Sequence, residues 1–254
     1  MKTSSLLSLC TLLLLSSCNH YFYAPNKVNV PGLRNAGDMR VEGGIGGGVI
    51  TQNVELQAAY ALAPFLGIMV NGALNRDQGE HFLDSKHEPS TNSRFAEVGL
   101  GYFKELQTNP DWLFEIYGGV GVGNYSLYQL DQPTYVLNKT RYFVQPSMLY
   151  TLPSQKIELA IASRLSIADY TGNNIPFANS GNLNNELRAL LRDSPKVFWE
   201  PSFRFSVGSP TTKFYVGITP SILLSRDFDT REFYNLNTGV RFTFNTKKTK
   251  KRND

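Results

Sequence analysis

The stretch 233–244, Phe-Tyr-Asn-Leu-Asn-Thr-Gly-Val-Arg-Phe-Thr-Phe, constrains the fold more than any other part of the chain. Every second residue from Tyr234 to Phe244 belongs to a mainly apolar series. The residues between them are polar or small, with Arg241 as the charge and Phe233 as the exception. Successive side chains point to opposite sides only at a period of two, so the pattern predicts a β-strand and excludes a helix. If the apolar face touches lipid, this is the closing strand of a transmembrane barrel.

The same period recurs along the chain and predicts one all-β domain, an antiparallel transmembrane β-barrel of about ten strands. The predicted strands cover about 40–50, 53–62, 66–75, 94–104, 112–125, 140–151, 156–168, 196–207, 213–224 and 233–245. One short helix is predicted over 182–192, in a connection expected to be extracellular. Its leucines follow helical spacing, and Pro195 lies just past its end.

Alternating strands fit either a soluble barrel with the apolar face inside or a membrane barrel with it outside. The polar face favours the membrane barrel, because it consists mainly of Gly, Ala, Ser and Asn, and every Lys of the strand region falls at a predicted strand end. A solvated sheet favours Lys, whereas a narrow lumen requires small residues and charges that satisfy one another. The predicted lumen charge network is Arg40, Glu42, Glu55, Glu97, Glu115, Arg141, Glu158, Arg164, Glu200, Arg204 and Arg241.

The predicted connections alternate in length. Those at 63–65, 105–111, 152–155 and 208–212 are short, while three of those at the other end, 76–93, 126–139 and 169–195, are long. Outer-membrane barrels have short periplasmic turns and longer extracellular loops, so the first strand is expected to run outward. Aromatic residues near both groups of strand ends predict two interfacial girdles.

The N-terminal residues predict export. Residues 1–17 combine Lys2 with an apolar core and read as a secretory signal, too short to span a membrane as a mature helix. Leu15-Ser16-Ser17-Cys18 resembles a bacterial lipobox, in which the cysteine is lipidated and becomes the mature N-terminus; the alternative is an ordinary cysteine after an ordinary signal. Because they contain Pro25 and Pro31, residues 18–37 are expected to form an extended tether between the lipid, in the periplasmic leaflet, and the first strand.

The formal charge of +4 does not indicate a nucleic-acid partner. Without Lys2 the chain has 24 basic and 21 acidic residues, and the basic C-terminal tail at 247–254 holds five of the basic and one of the acidic residues. The barrel region, 38–246, together with residues 18–37 is therefore close to −1. No basic stripe or nucleic-acid-binding motif appears elsewhere in the sequence.

The lipobox, the Tyr23-Ala24-Pro25-Asn26 and Asn29-Val30-Pro31 leader, the ten strands and the final aromatic Phe244 together resemble Bacteroidota-type outer-membrane β-barrel lipoproteins. The resemblance covers essentially the whole chain. It implies a location in the cell outer membrane of a Gram-negative envelope, lipid-anchored and membrane-spanning, with outer-membrane lipid as the surroundings. It implies no particular activity.

Candidate sites for chemistry are weak. The lumen charges are interpreted as a structural network or, alternatively, as a pore lining. His81 and His87 lie beside Glu80 and Asp84 in a polar segment without a second acidic pair, so we expect a solvated loop, with no catalytic residue, metal or cofactor. On the predicted helix, the candidates for contact with lipopolysaccharide phosphates are Arg188 and Arg192.

The sequence as a whole favours a non-enzymatic outer-membrane lipoprotein with a structural or surface-recognition role. A small pore for ions or solutes, lined by Arg and Glu, is the alternative, and an outer-membrane hydrolase is a less favoured one. The sequence names no protein partner.

Overall fold

The computed structural model describes residues 22–49, 51–77, 90–129, 132–173, 182–225 and 231–246. The predicted signal sequence, Cys18 and the basic tail lie outside these residues. Within them the elements, in chain order, are β1 (Asp38–Gly47), β2 (Thr51–Ala63), β3 (Leu66–Asp77), β4 (Ser90–Leu106), β5 (Asn109–Gln129), β6 (Gln132–Thr151), β7 (Ile157–Asn173), α1 (Asn182–Arg192), β8 (Lys196–Gly208), β9 (Thr212–Pro220), β10 (Ile222–Leu223) and β11 (Tyr234–Asn245).

The sheet closes on itself. Each strand pairs antiparallel with its neighbours, and β1 pairs with both β2 and β11, which forms the seam of the barrel. β9 and β10 are two parts of one wall strand, interrupted at Ser221, and both pair with β8. The wall is therefore a closed antiparallel barrel of ten strands with one short helix, as predicted.

The outward face of the wall is a belt of large apolar side chains to which every wall strand contributes. Leu56 is 62% exposed and Phe214 is 63% exposed. An aqueous surface rarely leaves a continuous apolar area of this size uncovered, and an outward apolar band is what a barrel presents to lipid. Aromatic side chains lie at one edge of the belt, where the rings of Trp112 and Tyr150 pack with centroids 4.7 Å apart.

The two ends of the barrel differ. At one end, here called the turn end, the strands are joined by tight connections at 64–65, 107–108, 152–156 and 209–211. At the other, the loop end, lie α1 and the longer connections. Among the described residues, no helix is long and apolar enough to cross a bilayer.

One predicted connection is wrong. Residues 126–139 were expected to form a long loop, but β5 continues to Gln129 and β6 begins at Gln132, so most of this region is a paired hairpin. Backbone pairing alone holds such a ladder. Beyond the apolar belt a strand needs no lipid-facing side chains, so the alternating pattern stops before the strand does. The strands predicted from that pattern were therefore too short.

Residues 22–37 occupy the lumen and are here called the luminal plug. They form an extended segment that enters beside α1 at the loop end, descends through the barrel and turns into β1 at the turn end. Phe22, Lys27 and Leu33 are at most 2% exposed. The predicted tether is thus extended, but its described part lies inside the barrel rather than between the lipid and the wall. The polar, proline-containing composition suits a lumen lined with hydrogen-bonding side chains.

Candidate functional site

The backbone of the luminal plug has no neighbouring strand along the lumen, and wall carboxylates accept its N–H groups instead. The Lys27 N–H donates to both carboxylate oxygens of Glu55 at 3.0 Å. The N–H groups of Gly32 and Leu33 donate to Glu115 Oε1 at 2.7 and 3.3 Å. Buried backbone donors without a partner are costly, so these two glutamates fix the height of the plug in the barrel.

Wall donors reach the carbonyl oxygens of the plug in the same way. Arg164 Nη2 donates to the Asn26 carbonyl oxygen at 3.0 Å, and Arg204 Nη2 donates to that of Val30 at 2.9 Å. Gln145 Nε2 donates to the carbonyl oxygen of Asn29 at 2.6 Å. The plug is therefore recognised by its backbone as well as by its side chains.

The two prolines of the plug follow from the same requirement. Pro25 and Pro31 have no N–H group, so they remove two donors for which the lumen would otherwise have to provide acceptors. The carbonyl oxygen of Pro25 still accepts a hydrogen bond, from Asn235 Nδ2 at 2.9 Å.

A four-membered charge cluster lies toward the loop end of the lumen. Glu97 forms ion pairs with Arg141 and, at 3.4 Å, with Arg164. Arg164 Nε also contacts Glu200 Oε2 at 2.8 Å. All four side chains are fully buried. Two carboxylates meet two guanidinium groups, so the cluster is neutral, and the removal of one member would leave an uncompensated buried charge.

Plug side chains complete this cluster. Asn26 Oδ1 accepts from Arg141 Nη2 at 2.6 Å, and its Nδ2 donates to Glu97 at 3.3 Å. The Tyr23 hydroxyl donates to Glu200 Oε1 at 2.5 Å. The cluster therefore joins strands of the wall to the plug and not only to one another.

Lys27 supplies a cation that the wall network lacks. Its ammonium forms an ion pair with Glu42, which also accepts from Arg204 Nη1 at 3.0 Å, and it lies 3.7 Å from the centroid of the Tyr215 ring. The sequence analysis missed Lys27 as a lumen residue. The predicted network has six carboxylates and five guanidinium groups, and the structure adds three buried lysines to it: Lys27 of the plug, and Lys139 and Lys213 of the wall.

The turn-end half of the lumen holds a second, more open cluster. Arg241 forms an ion pair with Glu158, and Lys213 Nζ lies 3.9 Å from the same carboxylate. Arg40, 6% exposed, has its Nε and Nη1 without hydrogen-bond partners among the described groups, and so has Arg241. Buried donors of this kind are free to bind an acceptor that the described groups do not supply.

The structure brings together the residues that the sequence analysis assigned to the lumen. All of them face inward and are at most 6% exposed. Glu97, Arg141, Arg164 and Glu200 form the cluster at the loop end. The others lie nearer the turn end or contact the plug: Arg40, Glu42, Glu55, Glu115, Glu158, Arg204 and Arg241.

An aromatic lid covers the loop end of the lumen. The ring of Tyr23 stacks on Phe198 with centroids 3.8 Å apart and an interplanar angle of 8°. Phe22 belongs to the same buried cluster, and Leu187 and Leu190 of α1 close it from above. The lid holds the first described residues of the plug at this end.

Lys139 departs from the sequence expectation. It was assigned to a strand end, but it lies inside β6, is 3% exposed and donates to the Tyr125 hydroxyl at 3.2 Å. Its ammonium lies 4.5 Å from the ring centroid of Phe95 and 4.9 Å from that of Tyr23. Aromatic faces attract a cation, and they allow a lysine on an enclosed face.

The two predicted surface contacts lie on α1 and differ in exposure. Arg188 is partly buried. The side chain of Arg192 is 76% exposed and pairs with Asp193 at 3.0 Å. This hydrogen bond, together with the carboxylate charge, raises the pKa of the Arg192 guanidinium. His81 and His87 lie outside the described residues. Within the ranges that the structure describes, no group of three or more His, Cys, Asp or Glu side chains is placed to hold a metal ion.

No protein-family model and no curated protein sequence matches the chain. Among solved structures, the outer membrane protein OmpT of Vibrio cholerae in its trimer form is 13% identical, with a TM-score of 0.30. The match covers 76% of this chain and 56% of that one, so the chain spans little more than half of its length. The outer membrane protease OmpT of Escherichia coli is 10% identical, with coverage of 82% and 97% and a TM-score of 0.42. Likenesses this loose carry no inference about activity.

Proposed function

We propose that the protein is a closed, non-enzymatic outer-membrane β-barrel lipoprotein with a structural or surface-recognition role. The observation that carries the proposal is the luminal plug, which fills the lumen from one end to the other. Side chains from all ten wall strands contact it, including Glu42 of β1, Asn71 of β3, Tyr215 of β9 and Asn235 of β11. A lumen filled in this way has no continuous water path.

The proposal excludes enzymatic activity because the lumen carboxylates are already engaged by the chain itself. Glu97 and Glu200 bind guanidinium groups, and Glu55 and Glu115 bind plug N–H groups. A general base must reach a substrate proton, and these carboxylates are occupied and enclosed. Peptide or lipid hydrolysis by the purified protein, abolished by His81→Ala, would contradict this part of the proposal.

Conductance in planar lipid bilayers tests the closed state. We expect the wild-type protein to give no single-channel steps. The triple variant Tyr23→Ala, Asn26→Ala, Lys27→Ala removes the plug's contacts with Glu200, Glu97 and Glu42 and should produce steps. Asn35→Ala, at the exposed turn before β1, is the matched control and should be silent.

Folding is checked for each variant by heat-modifiable migration on gels, since a closed barrel migrates differently before and after heating. Stable, selective steps from the folded wild-type protein would overturn the closed-barrel proposal. A folded triple variant that stays silent would show that side-chain contacts of the plug do not control closure.

A small pore is the second candidate, and the unpartnered nitrogens of Arg40 and Arg241 favour it. Donors that face the lumen without a partner are suited to water and anions. If displacement of the plug is the physiological event, the open triple variant should prefer anions. Addition of Arg40→Gln should reduce that preference, and an unchanged reversal potential would argue against the pore.

We also propose that Cys18 carries lipid and that Arg192 contacts lipopolysaccharide phosphates. The lipobox supports the first assignment. The exposure of Arg192 on the loop-end helix supports the second, although Asp193 partly offsets its charge. Metabolic labelling with a fatty acid, compared between wild type and Cys18→Ala, tests lipidation. Retention on lipopolysaccharide vesicles, compared between wild type and Arg192→Ala, tests the second assignment.

A further inference from the structure

The direction of the luminal plug determines the end of the barrel from which the N-terminal chain emerges. Tyr23 forms a parallel bridge with Arg231 at the loop end, and its carbonyl oxygen accepts the Glu232 N–H at 2.8 Å. Arg34 lies at the turn end, where its guanidinium donates to the Pro110 carbonyl oxygen at 2.7 Å and to Thr151 at 3.1 Å. The chain therefore runs from the loop end to the turn end before β1 begins.

The plug is long enough to cross the whole membrane. Arg34 lies twelve residue steps after Phe22. An extended chain of this length spans up to about 40 Å, and the hydrocarbon core of a bilayer is about 30 Å thick. β1 then crosses again in the opposite direction, so the two segments form an inner and an outer passage of the same chain.

The plug occupies the lumen as one pass of extended chain. A single pass already contacts every wall strand, and the side chains on both sides of it are buried, including Glu115, Gln145 and Arg164 at 0% exposure. Phe22, the first residue that the structure describes, therefore lies at the loop mouth, and the plug leads from it toward the turn end.

The loop end is the outer end by the usual architecture of these barrels. Tight turns face the periplasm and longer loops face the outside. All four connections opposite α1 are tight, whereas the connections at the α1 end include the long ones that follow β3 and β7. This rule uses connection lengths alone and does not depend on the N-terminus.

We propose that the luminal plug carries the N-terminal end of the mature chain to the cell surface. The inference rests on the proposed outer-membrane function and deepens it by assigning the leaflet that the anchor enters. Cys18 lies four residues before Phe22 and within about 14 Å of it along an extended chain. A lipid on Cys18 therefore enters the outer leaflet beside the loop mouth.

This proposal reverses the sequence expectation of an anchor in the periplasmic leaflet. The expectation assumed that the N-terminus lies on the side from which β1 starts. β1 does start at the turn end, but the plug places Phe22 at the opposite end. The direction in which β1 runs therefore does not determine which leaflet holds the anchor.

Epitope labelling on intact cells tests the proposal. A short epitope is inserted after Asn19 of the full-length protein, and as a matched control the same epitope is inserted in the turn at 152–156. We expect antibody to label the Asn19 epitope equally in intact and permeabilised cells. The control epitope should be labelled only after permeabilisation.

Two cysteine variants report the orientation of the wall independently. With a membrane-impermeant maleimide, Arg192→Cys on α1 should react in intact cells and Ser154→Cys should not. If Arg192→Cys reacts but the Asn19 epitope stays hidden, the N-terminal proposal fails while the outer-membrane function stands. If Ser154→Cys alone reacts, the assumed orientation of the barrel is wrong, and the proposed surface location of the N-terminal end is wrong as well.

An insertion that prevents folding is recognised by the loss of heat-modifiable migration. In that case His20→Cys replaces it, with wild-type protein as the background for labelling at Cys18. Labelling of His20→Cys in intact cells supports the proposal, and labelling only after permeabilisation overturns it.

Discussion

The luminal plug and the wall strands are both extended, but they satisfy their backbones in different ways. A wall strand such as β8 pairs main chain to main chain with β7 and β9. The plug pairs its main chain with side chains, such as the carboxylates of Glu55 and Glu115. A ladder of peptide groups accepts many sequences. A segment held by individual side chains depends on each of them, so the plug is the sequence-specific part of the molecule.

The largest expected loss of stability comes from a substitution in the charge cluster at the loop end, which joins the plug to the wall. Glu97→Gln removes the carboxylate that pairs with Arg141 and Arg164, and it leaves the two guanidinium groups with Glu200 as the one carboxylate of the enclosed cluster. We expect the free energy of unfolding to fall by about 3–5 kcal/mol. Urea titration in lipid vesicles, followed by tryptophan fluorescence, measures it.

The control for Glu97 is Glu105→Gln, which breaks a partly exposed ion pair with Arg34 at the turn end. Its effect should stay within about 1 kcal/mol. Equal effects of the two substitutions would contradict the idea that buried charges hold the plug.

A smaller effect is expected from one hydroxyl of the plug. Tyr23→Phe keeps the stacking on Phe198 but removes the hydrogen bond to Glu200. Hydrogen bonds to charged groups contribute about 1.5–3 kcal/mol, and the same titration should show a loss of that size. The same change on the lipid-facing side, Tyr102→Phe, should alter stability by no more than about 0.5 kcal/mol. A neutral Tyr23→Phe would mean that the stacking alone holds this end of the plug.

The wall itself is tested at its seam. A Cβ added at Gly44 would overlap the Tyr215 hydroxyl and lie 2.6 Å from the Thr238 carbonyl oxygen. Overpacking of this kind costs about 1–3 kcal/mol, so Gly44→Ala should lower stability. Gly43→Ala is the matched control, because nothing lies within 4 Å of its added Cβ. Destabilisation by Gly43→Ala as well would point to backbone conformation and not to close approach.

The wall was predictable because its signal is local. Alternation within each strand is enough to place Leu56 outward and Glu55 inward, and the leucine spacing of α1 is enough to place that helix. The plug was not predictable in this way, since its partners are remote in sequence. Tyr23 and Glu200, for example, are 177 residues apart. Its composition excluded a helix but did not distinguish a solvated tether from a chain enclosed by side chains.

The plug ends in a short turn at 35–37 and continues directly into β1. This connection restricts the order in which the barrel folds. The seam between β1 and β11 pairs the first wall strand with the last, so it can close only after the whole wall has been made. Threading a segment through the finished lumen would require it to pass every side chain that later binds it. The N-terminal residues must therefore be in place before the barrel closes, and closure then traps them. In this molecule a segment that is synthesised before every wall strand becomes the part that the last step of folding encloses.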